Sequence, residues 1–96
     1  MKAGYVYLMA SRYRGQTYLG VTSNLHQRAW QHRNGIVEGH SKDKGCHLLV
    51  WFERFEDLQE ARACEFRMKK WQRSWKLRLI EEQNPEWRDL FETLNH

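Results

Sequence analysis

The alternation of hydrophobic and polar positions near the start of the chain predicts a β-hairpin. Residues 4–10 and 16–22 are short aromatic and β-branched runs, and a turn-like segment separates them. Runs of this kind around a short turn are typical of two antiparallel strands. If the turn centres between residues 12 and 13, Tyr7 lies directly opposite Tyr18 and the two phenols share one face of the sheet.

Further along, the pattern predicts a helix, a loop and a third strand. The helix runs from about residue 24 to residue 33, and Thr22 or Ser23 can cap its first turn. Residues 35–46 hold three glycines and few large apolar side chains, so we expect a surface loop. Residues 47–52 are apolar almost throughout, which predicts a strand covered on both faces.

A second helix is predicted after Asp57, which forms a capping-box pattern with the acid three residues later. Its hydrophobic stripe contains one charged residue, since Glu65 falls on the same face as Leu58, Ala61, Met68 and Trp71. A carboxylate on an apolar face is costly unless a cation or hydrogen bonds meet it. Either the face opens onto a cleft at Glu65, or the carboxylate has a partner.

Hydrophobic spacing predicts two more helices. The third covers about residues 73–83, and a last one begins at Pro85 after the cap Asn84. The apolar positions of this last helix are Trp87, Leu90, Phe91 and Leu94. Together the elements predict an α+β fold, a three-stranded, mostly antiparallel sheet flanked by helices. The length fits one domain over residues 1–96.

Composition narrows the class of protein. Hydrophobic residues make up 41% of the chain and charged residues 29%, and Pro and Gly are few, which excludes a disordered or low-complexity chain. Cys46 and Cys64 are too few for a disulfide scaffold and lack the paired spacing of a zinc site. Since no run resembles a membrane span or a secretory signal, we expect a cytoplasmic protein with reduced thiols.

Positive charge is concentrated in one segment. Residues 62–78 hold seven Lys and Arg side chains and one acid, Glu65, with Trp71 and Trp75 among them. Cations attract phosphates and aromatic faces stack on bases, so this segment is a candidate nucleic-acid interface. The alternative is a solvated helix face whose tryptophans point into the core.

Five side chains of the predicted elements suit phosphodiester hydrolysis. A carboxylate such as Glu65 can hold a divalent cation, which neutralises the phosphate and the leaving oxygen. Arg28 offers paired hydrogen bonds to non-bridging oxygens, and His32 stands one helical turn further along the same face. A phenol or an imidazole can move a proton or orient the attacking water, which adds Tyr7 and Tyr18 to the set.

At these residues the sequence resembles the GIY-YIG endonuclease domain, in its small stand-alone bacterial form. The resemblance covers nearly the whole chain in the family's order and spacing, and the ordered set is more specific than any one piece. Its motifs are Tyr5-Val6-Tyr7, Tyr18-Leu19-Gly20 running on to Leu25, Arg28 to Arg33, Glu60-Ala61, Glu65, Met68-Lys69, Trp71, Leu79-Ile80 and Asn84 to Trp87. In one departure, Tyr5 replaces the glycine of the first motif, with Gly4 one position earlier.

The resemblance implies a nuclease fold with one active site and one metal ion, Mg²⁺ or Mn²⁺, whose sole carboxylate ligand is Glu65. Tyr7 matches the tyrosine that acts as general base or orients the water, and Tyr18 matches the second tyrosine, which lines the site. Arg28 matches the arginine that binds the scissile phosphate. His32 matches a position that assists proton transfer.

A second set of residues is expected to contact the substrate: Gly20, His40, Lys42, Lys69 and Asn84. Gly20 would let the backbone approach closely where a side chain would intrude. His40 lies in the predicted loop, and Lys42 and Lys69 are candidate phosphate contacts. Asn84 is first of all a predicted helix cap.

We therefore expect a divalent-metal-dependent endonuclease that cuts nicked, branched, flapped or single-stranded DNA, with RNA the less favoured substrate. A chain this short would bind through phosphate contacts and shape, with steep salt dependence. One alternative is a nucleic-acid-binding module with little or no turnover, and another is an interaction protein whose basic helix docks an acidic partner. We expect a monomer or a weak homodimer, and the pathway stays open among repair, restriction, competence and RNA turnover.

Overall fold

Three strands form one antiparallel sheet in a computed structural model that describes residues 2–36 and 45–94. The strands lie in the order β2-β1-β3, with β1 at Gly4–Ala10, β2 at Thr17–Thr22 and β3 at Leu48–Phe55. The other elements are α1 (Leu25–Arg33), α2 (Leu58–Met68), α3 (Arg73–Gln83) and a 3₁₀ helix (Leu90–Leu94). The predicted α+β class and its three-stranded antiparallel sheet are confirmed.

The central strand β1 supplies both hydrophobic cores. Its side chains alternate between the two faces of the sheet, and nearly all of them are buried. On one face Val6 and Leu8 pack with α2 and α3, for example against Ala61 and Ile80. On the other face the core cluster joins Tyr7, Met9, Leu25, Ala29, Leu49 and Phe91. The sheet is therefore covered on both sides, with α1 and the 3₁₀ helix on the face that carries Tyr7.

The hairpin register differs from the prediction by two residues. Tyr7 pairs with Gly20, so Tyr18 lies diagonally across from it rather than directly opposite. The turn is centred one residue later than predicted, and the amide of Ser11 closes it by donating to the carbonyl of Gln16 at 3.0 Å. Because a shift of two positions returns each side chain to its own face, the two tyrosines still share one face of the sheet.

The cap predicted for the first helix is wrong. Asn24 caps α1 in place of Thr22 or Ser23, since its side-chain oxygen accepts a hydrogen bond from the amide of Gln27 at 3.1 Å. The hydroxyl of Thr22 instead accepts a hydrogen bond from the amide of Asn24. The end of α1 at Arg33 is as predicted.

The predicted last helix is replaced by a turn and a short 3₁₀ helix. α3 ends at Gln83, and Asn84 is its C-terminal cap rather than the start of a new helix. Trp87 has a φ of 56°, a left-handed conformation that interrupts any helix through this position. Helical structure resumes only over Leu90–Leu94.

Two further element boundaries differ from the prediction. β3 continues to Phe55, beyond the predicted end at residue 52, and α2 ends at Met68, so Trp71 follows the helix. Most of the predicted loop over 35–46 lies outside the described residues. Within the part of the chain that the structure describes, no helix is long and apolar enough to cross a membrane.

Candidate active site

A cavity of about 510 Å³ lies at the β2 edge of the sheet, where the helices of both faces approach each other. Its lining comes from every strand and helix except β3 and the 3₁₀ helix: Tyr7, Thr17, Tyr18, Leu19, Gly20, Val21, Arg28, Glu65, Lys69 and Lys76. Alternate residues of β2 point to opposite faces, so α1 reaches the cavity from one side and α2 from the other. The edge strand therefore joins two otherwise separate layers in one site.

Gly20 allows the Tyr7 side chain to reach this cavity. Tyr7 is only 2% exposed in the central strand, and Gly20 is its direct partner on β2. A Cβ atom at Gly20 would lie 2.5 Å from Cζ of Tyr7, closer than real Cβ contacts come. The Tyr7 ring thus lies over the glycine, with its hydroxyl at the cavity. This close approach was predicted at Gly20, but toward the substrate rather than toward Tyr7.

Tyr7, Tyr18 and His32 form one cluster of rings. The Tyr7 hydroxyl lies 3.1 Å from Nε2 of His32, within hydrogen-bond distance. The ring centroid of Tyr18 lies 6.5 Å from that of Tyr7 and 5.2 Å from that of His32. His32 is 4% exposed and reaches the cluster from α1. The phenol and the imidazole can therefore exchange a proton directly.

The environment of this pair keeps both groups neutral at physiological pH. Burial, followed by the nearby Tyr18 phenol, raises the pKa of Tyr7 above its ordinary value; Glu65 acts in the same direction and Arg28 opposes it. Burial, followed by the Arg28 cation, lowers the pKa of His32 to about 4. One hydrogen atom lies between the Tyr7 oxygen and Nε2 of His32, and the His32 tautomer decides which of these two atoms carries it.

Arg28 extends from α1 to the cavity one turn before His32. It is half-buried, and its charge acts on both Tyr7 and His32. Among the described residues its guanidinium has no hydrogen-bonded or ion-paired side chain. A cation in this position, with its donors unused by the described residues, can bind an anionic oxygen in the cavity.

Glu65 is the cavity's carboxylate, and both sequence-based expectations for it hold. Its side chain is 14% exposed, and it lines the cavity from α2. It also has a partner, because Nζ of Lys69 lies 3.1 Å from its carboxylate oxygen. Lys69 is 62% exposed, so this ion pair is a surface pair of modest strength. The carboxylate can therefore exchange its partner at small cost.

The donor set fits a hard divalent cation. Within the described residues no group of three or more His, Cys, Asp and Glu side chains could hold a metal ion, so a closed, all-protein metal cage is not formed there. Mg²⁺ commonly binds one or two carboxylates and keeps water or substrate oxygens at its other positions. Glu65 beside an open cavity supplies one such ligand and leaves room for phosphate oxygens.

The remaining predicted site residues divide into three groups. Gly20 and Lys69 line the cavity with Tyr7, Tyr18, Arg28 and Glu65, while His32 reaches it only through its contact with the Tyr7 hydroxyl. His40 and Lys42 lie outside the described residues. Asn84 is not brought to the cavity: it is 6% exposed, and its amide donates to the carbonyl of Val50 at 3.0 Å.

Two polar side chains of the cavity were not predicted from the sequence. Lys76 lines the cavity from α3, and Thr17 lines it at the start of β2. Lys76 belongs to the basic segment over 62–78, but nothing in that segment distinguishes it from the cations that point away. A threonine at the edge of a strand carries no chemical signal at all, so only the fold identifies it.

The sequence model of the GIY-YIG catalytic domain matches residues 3–78. These residues contain the whole cavity lining described above. The chain belongs to the GIY-YIG nuclease family. The segment after residue 78, which includes Asn84 and the 3₁₀ helix, lies beyond the matched residues.

Similar proteins fall within one group of small GIY-YIG chains. A UPF0213 protein of Clostridium perfringens is 38% identical over 76 residues, which cover 79% of this chain and 81% of that protein. A UPF0213 protein of Oceanobacillus iheyensis is 35% identical over 85% of this chain and 94% of its own length. The solution NMR structure of a UPF0213 protein from Bacillus halodurans has the same fold, with a TM-score of 0.56, 24% identity and coverage of 91% of this chain and 92% of that one.

Proposed function

We propose that this GIY-YIG chain is a divalent-metal-dependent endonuclease that hydrolyses phosphodiester bonds in DNA and selects DNA structure rather than base sequence. The observation that carries the proposal is one cavity lined by a carboxylate, a guanidinium and a phenol, with a buried imidazole at hydrogen-bond distance behind the phenol. Metal binding, phosphate binding and proton transfer each have a candidate group there, and a phosphodiester is the substrate that needs all three.

In this proposal Glu65 holds the Mg²⁺ or Mn²⁺ ion, and Lys69 gives up its contact with the carboxylate. The bound ion supplies positive charge to the phosphate and to the leaving oxygen. Lys69 is exposed, so its ammonium can move from the carboxylate to a neighbouring phosphate of the same strand. The net charge of the site is then set by the substrate and not by an internal ion pair.

Arg28 binds the scissile phosphate. Its planar guanidinium can donate two parallel hydrogen bonds to non-bridging oxygens, which fixes the phosphate relative to the Tyr7 hydroxyl. The arriving negative charge also offsets the effect of Arg28 on His32. Since that cation contributes to the low pKa of His32, the bound phosphate makes the imidazole a better proton acceptor.

Tyr7 and His32 move the proton. The Tyr7 oxygen accepts a proton from the attacking water while its own proton passes to Nε2 of His32, so no free tyrosinate forms. The water oxygen bonds to phosphorus, the bond between phosphorus and the sugar oxygen breaks, and that oxygen takes a proton from solvent. His32 then releases to solvent the proton that it received from Tyr7. Tyr18 packs against both rings and holds them at this distance.

Selectivity for structure follows from the character of the cavity. Its polar lining consists of cations, phenols, a carboxylate and the Thr17 hydroxyl, which suit contacts with phosphate groups rather than with base edges. Affinity should therefore depend on backbone geometry and on salt, as it does for proteins that bind DNA mainly through phosphates.

The test is cleavage of labelled nicked, flapped, branched, single-stranded and duplex DNA, with matched RNA, in Mg²⁺ or Mn²⁺ and in EDTA. Glu65→Gln should abolish metal-dependent cleavage and keep or strengthen binding. Glu60→Gln is the matched control, because it removes an exposed carboxylate from the same helix. Equal cleavage by wild type and Glu65→Gln would contradict the assignment of Glu65.

A nucleic-acid-binding module with little turnover is the second candidate. The observation that favours it is the contact between Lys69 and Glu65, which already neutralises the carboxylate. Tight, salt-sensitive binding without cleavage on any substrate of the panel would select this function over the first.

A further inference from the structure

An aromatic groove lies at the corner between α2 and α3, outside the catalytic cavity. It has a volume of about 270 Å³ and is lined by Trp71, Trp75, Arg78, Leu79 and Glu82. The two indole rings stand 6.1 Å apart at an angle of 74°. A flat apolar molecule can therefore contact one ring by its face and the other by its edge.

The large, apolar side chain of Trp75 is exposed and does not pack in a core cluster. Trp71 packs against the core cluster, whereas Trp75 is 48% exposed. The solvated-face alternative required the tryptophans of this segment to point into the core, and Trp75 does not. An exposed apolar groove of this kind marks an interaction site more often than a structural one.

The basic segment over 62–78, to which most of the groove belongs, favours an anionic occupant. Arg78 lines the groove itself. Close by along the chain, Nζ of Lys70 lies 4.6 Å from the ring centroid of Phe66, which is 61% exposed. Glu82 is the acid of the groove, while Glu65, the acid of the basic segment, faces the catalytic cavity with Lys69. Cations next to exposed aromatic rings suit a ligand with phosphates and flat bases.

The groove and the catalytic cavity are lined by residues that are close neighbours along the chain. Lys69 lines the cavity and is followed by Lys70 and Trp71, while Trp75 in the groove is followed by Lys76, again in the cavity. Consecutive residues lie only about 3.8 Å apart. A strand that leaves the cavity beside Lys69 or Lys76 would therefore pass close to the tryptophans of the groove.

We propose that this groove stacks unpaired bases of the strand whose phosphate enters the catalytic cavity. The bases of a duplex are already stacked on one another, so only a single-stranded or flapped segment can offer a free base face. The groove would then make the protein prefer nucleic acid with an unpaired segment over continuous duplex. This inference rests on the proposed function and names its substrate class.

The test measures binding separately from cleavage, in the Glu65→Gln background with EDTA. Fluorescence anisotropy compares a labelled oligo-dT, an oligo-U, an abasic strand of the same length and a blunt duplex. Trp75→Ala should lower the affinity for oligo-dT or oligo-U by about 5- to 100-fold, since stacking is lost. Its affinities for the abasic strand and the duplex should stay within about 2-fold, because phosphate contacts remain.

Trp30→Ala is the matched control, because Trp30 is 47% exposed but lies on α1 and outside the groove. It should bind every strand like the parent protein. Trp75→Phe should keep most of the single-strand affinity, which separates loss of stacking from loss of folding. An equal loss on the abasic strand, or no loss on either oligo-dT or oligo-U, would overturn the proposal.

Two further results separate this inference from the proposed function. If wild type cleaves but Trp75→Ala binds oligo-dT and oligo-U normally, the function stands and the groove proposal fails. If no substrate is cleaved and Trp75→Ala still loses single-strand affinity, the groove proposal stands and the proposed function fails. A change in sedimentation of Trp75→Ala without a change in strand affinity would make the groove an interface between copies and overturn the proposal.

Discussion

The burial that keeps the Tyr7 phenol protonated also keeps the His32 imidazole neutral, because the charged form of each group would lack the hydration that water gives it. Their hydrogen bond of 3.1 Å therefore joins two uncharged partners. Tyr18 and Arg28 face the same pair, and the Arg28 cation adds to the effect of burial on His32. Before substrate binds, His32 is therefore a neutral proton acceptor that becomes protonated only at low pH.

This neutrality predicts a pH dependence of stability. The folded pKa of His32 is about 4, below the ordinary value of about 6.5. Between these values the unfolded chain binds a proton at His32 that the folded chain does not, so the free energy of unfolding falls as pH falls from about 6.5 to 4. His32→Gln removes this loss. Urea unfolding at pH 7 and pH 4.5 should show wild type losing about 1–2 kcal/mol more than the variant.

His26→Gln serves as the control for that measurement. His26 is an exposed histidine of the same helix, with its ring beside Phe91 and outside the cavity lining. It should follow the pH dependence of wild type. If His32→Gln loses as much stability as wild type between the two pH values, His32 is not a neutral buried base.

At the scale of elements, Asn84 ties the end of α3 to the sheet and to the segment that follows. Its amide donates to the carbonyls of Val50 and Arg88 at 3.0 and 2.9 Å, and its oxygen accepts from the amide of Arg88 at 3.0 Å. With these bonds its side chain is fully used inside the protein. Its position away from the cavity gives it a structural role instead of the expected substrate contact.

Asn84→Ala should therefore reduce stability and leave the site intact. The variant loses three hydrogen bonds at a buried position, which lowers the free energy of unfolding by about 2–3 kcal/mol. Nucleic-acid affinity per folded molecule should stay within about 2-fold of wild type. Denaturant unfolding and anisotropy on the same sample check both, and weaker binding at unchanged stability would return Asn84 to the substrate contacts.

The elements that local patterns define were predictable, and those that depend on packing were not. The two-residue periodicity of a strand placed Tyr7 and Tyr18 on one face even with the turn centre wrong, because a shift of two preserves the face. The prediction of the last helix was wrong because Trp87 is buried in a left-handed conformation. That conformation depends on tertiary packing, which the spacing of apolar residues does not show. Lys76 was missed because its position in the cavity depends on how α3 packs against the rest of the fold.

For the whole molecule, the site collects cations from three helices at one edge of the sheet. Arg28, Lys69 and Lys76 come from α1, the end of α2 and α3, and all three line one cavity. Their shared position makes phosphate binding a property of the assembled fold, since no single helix presents more than part of the charge. Binding should accordingly follow counterion release from the nucleic acid.

Lys76→Gln should make DNA binding less sensitive to salt. Each phosphate contact contributes about −0.9 to the slope of log K against log salt for duplex DNA. The variant should therefore have a slope shallower by about 1, with weaker binding at low salt. Arg54→Gln, an exposed cation on the opposite edge strand, should leave the slope unchanged. Equal slopes for wild type and Lys76→Gln would remove Lys76 from the phosphate contacts.

The central position of β1 has a consequence for the synthesis of the protein. β1 carries Tyr7 and pairs with β3 as well as β2, while Glu65 comes from α2, later still in the chain. A nascent chain that has exposed only its first half on the ribosome therefore has the tyrosines and Arg28, but it lacks β3 beside β1 and it lacks Glu65. Under the proposed function, a chain that ends before Glu65 would lack its metal ligand and could not cut the DNA of the cell that makes it.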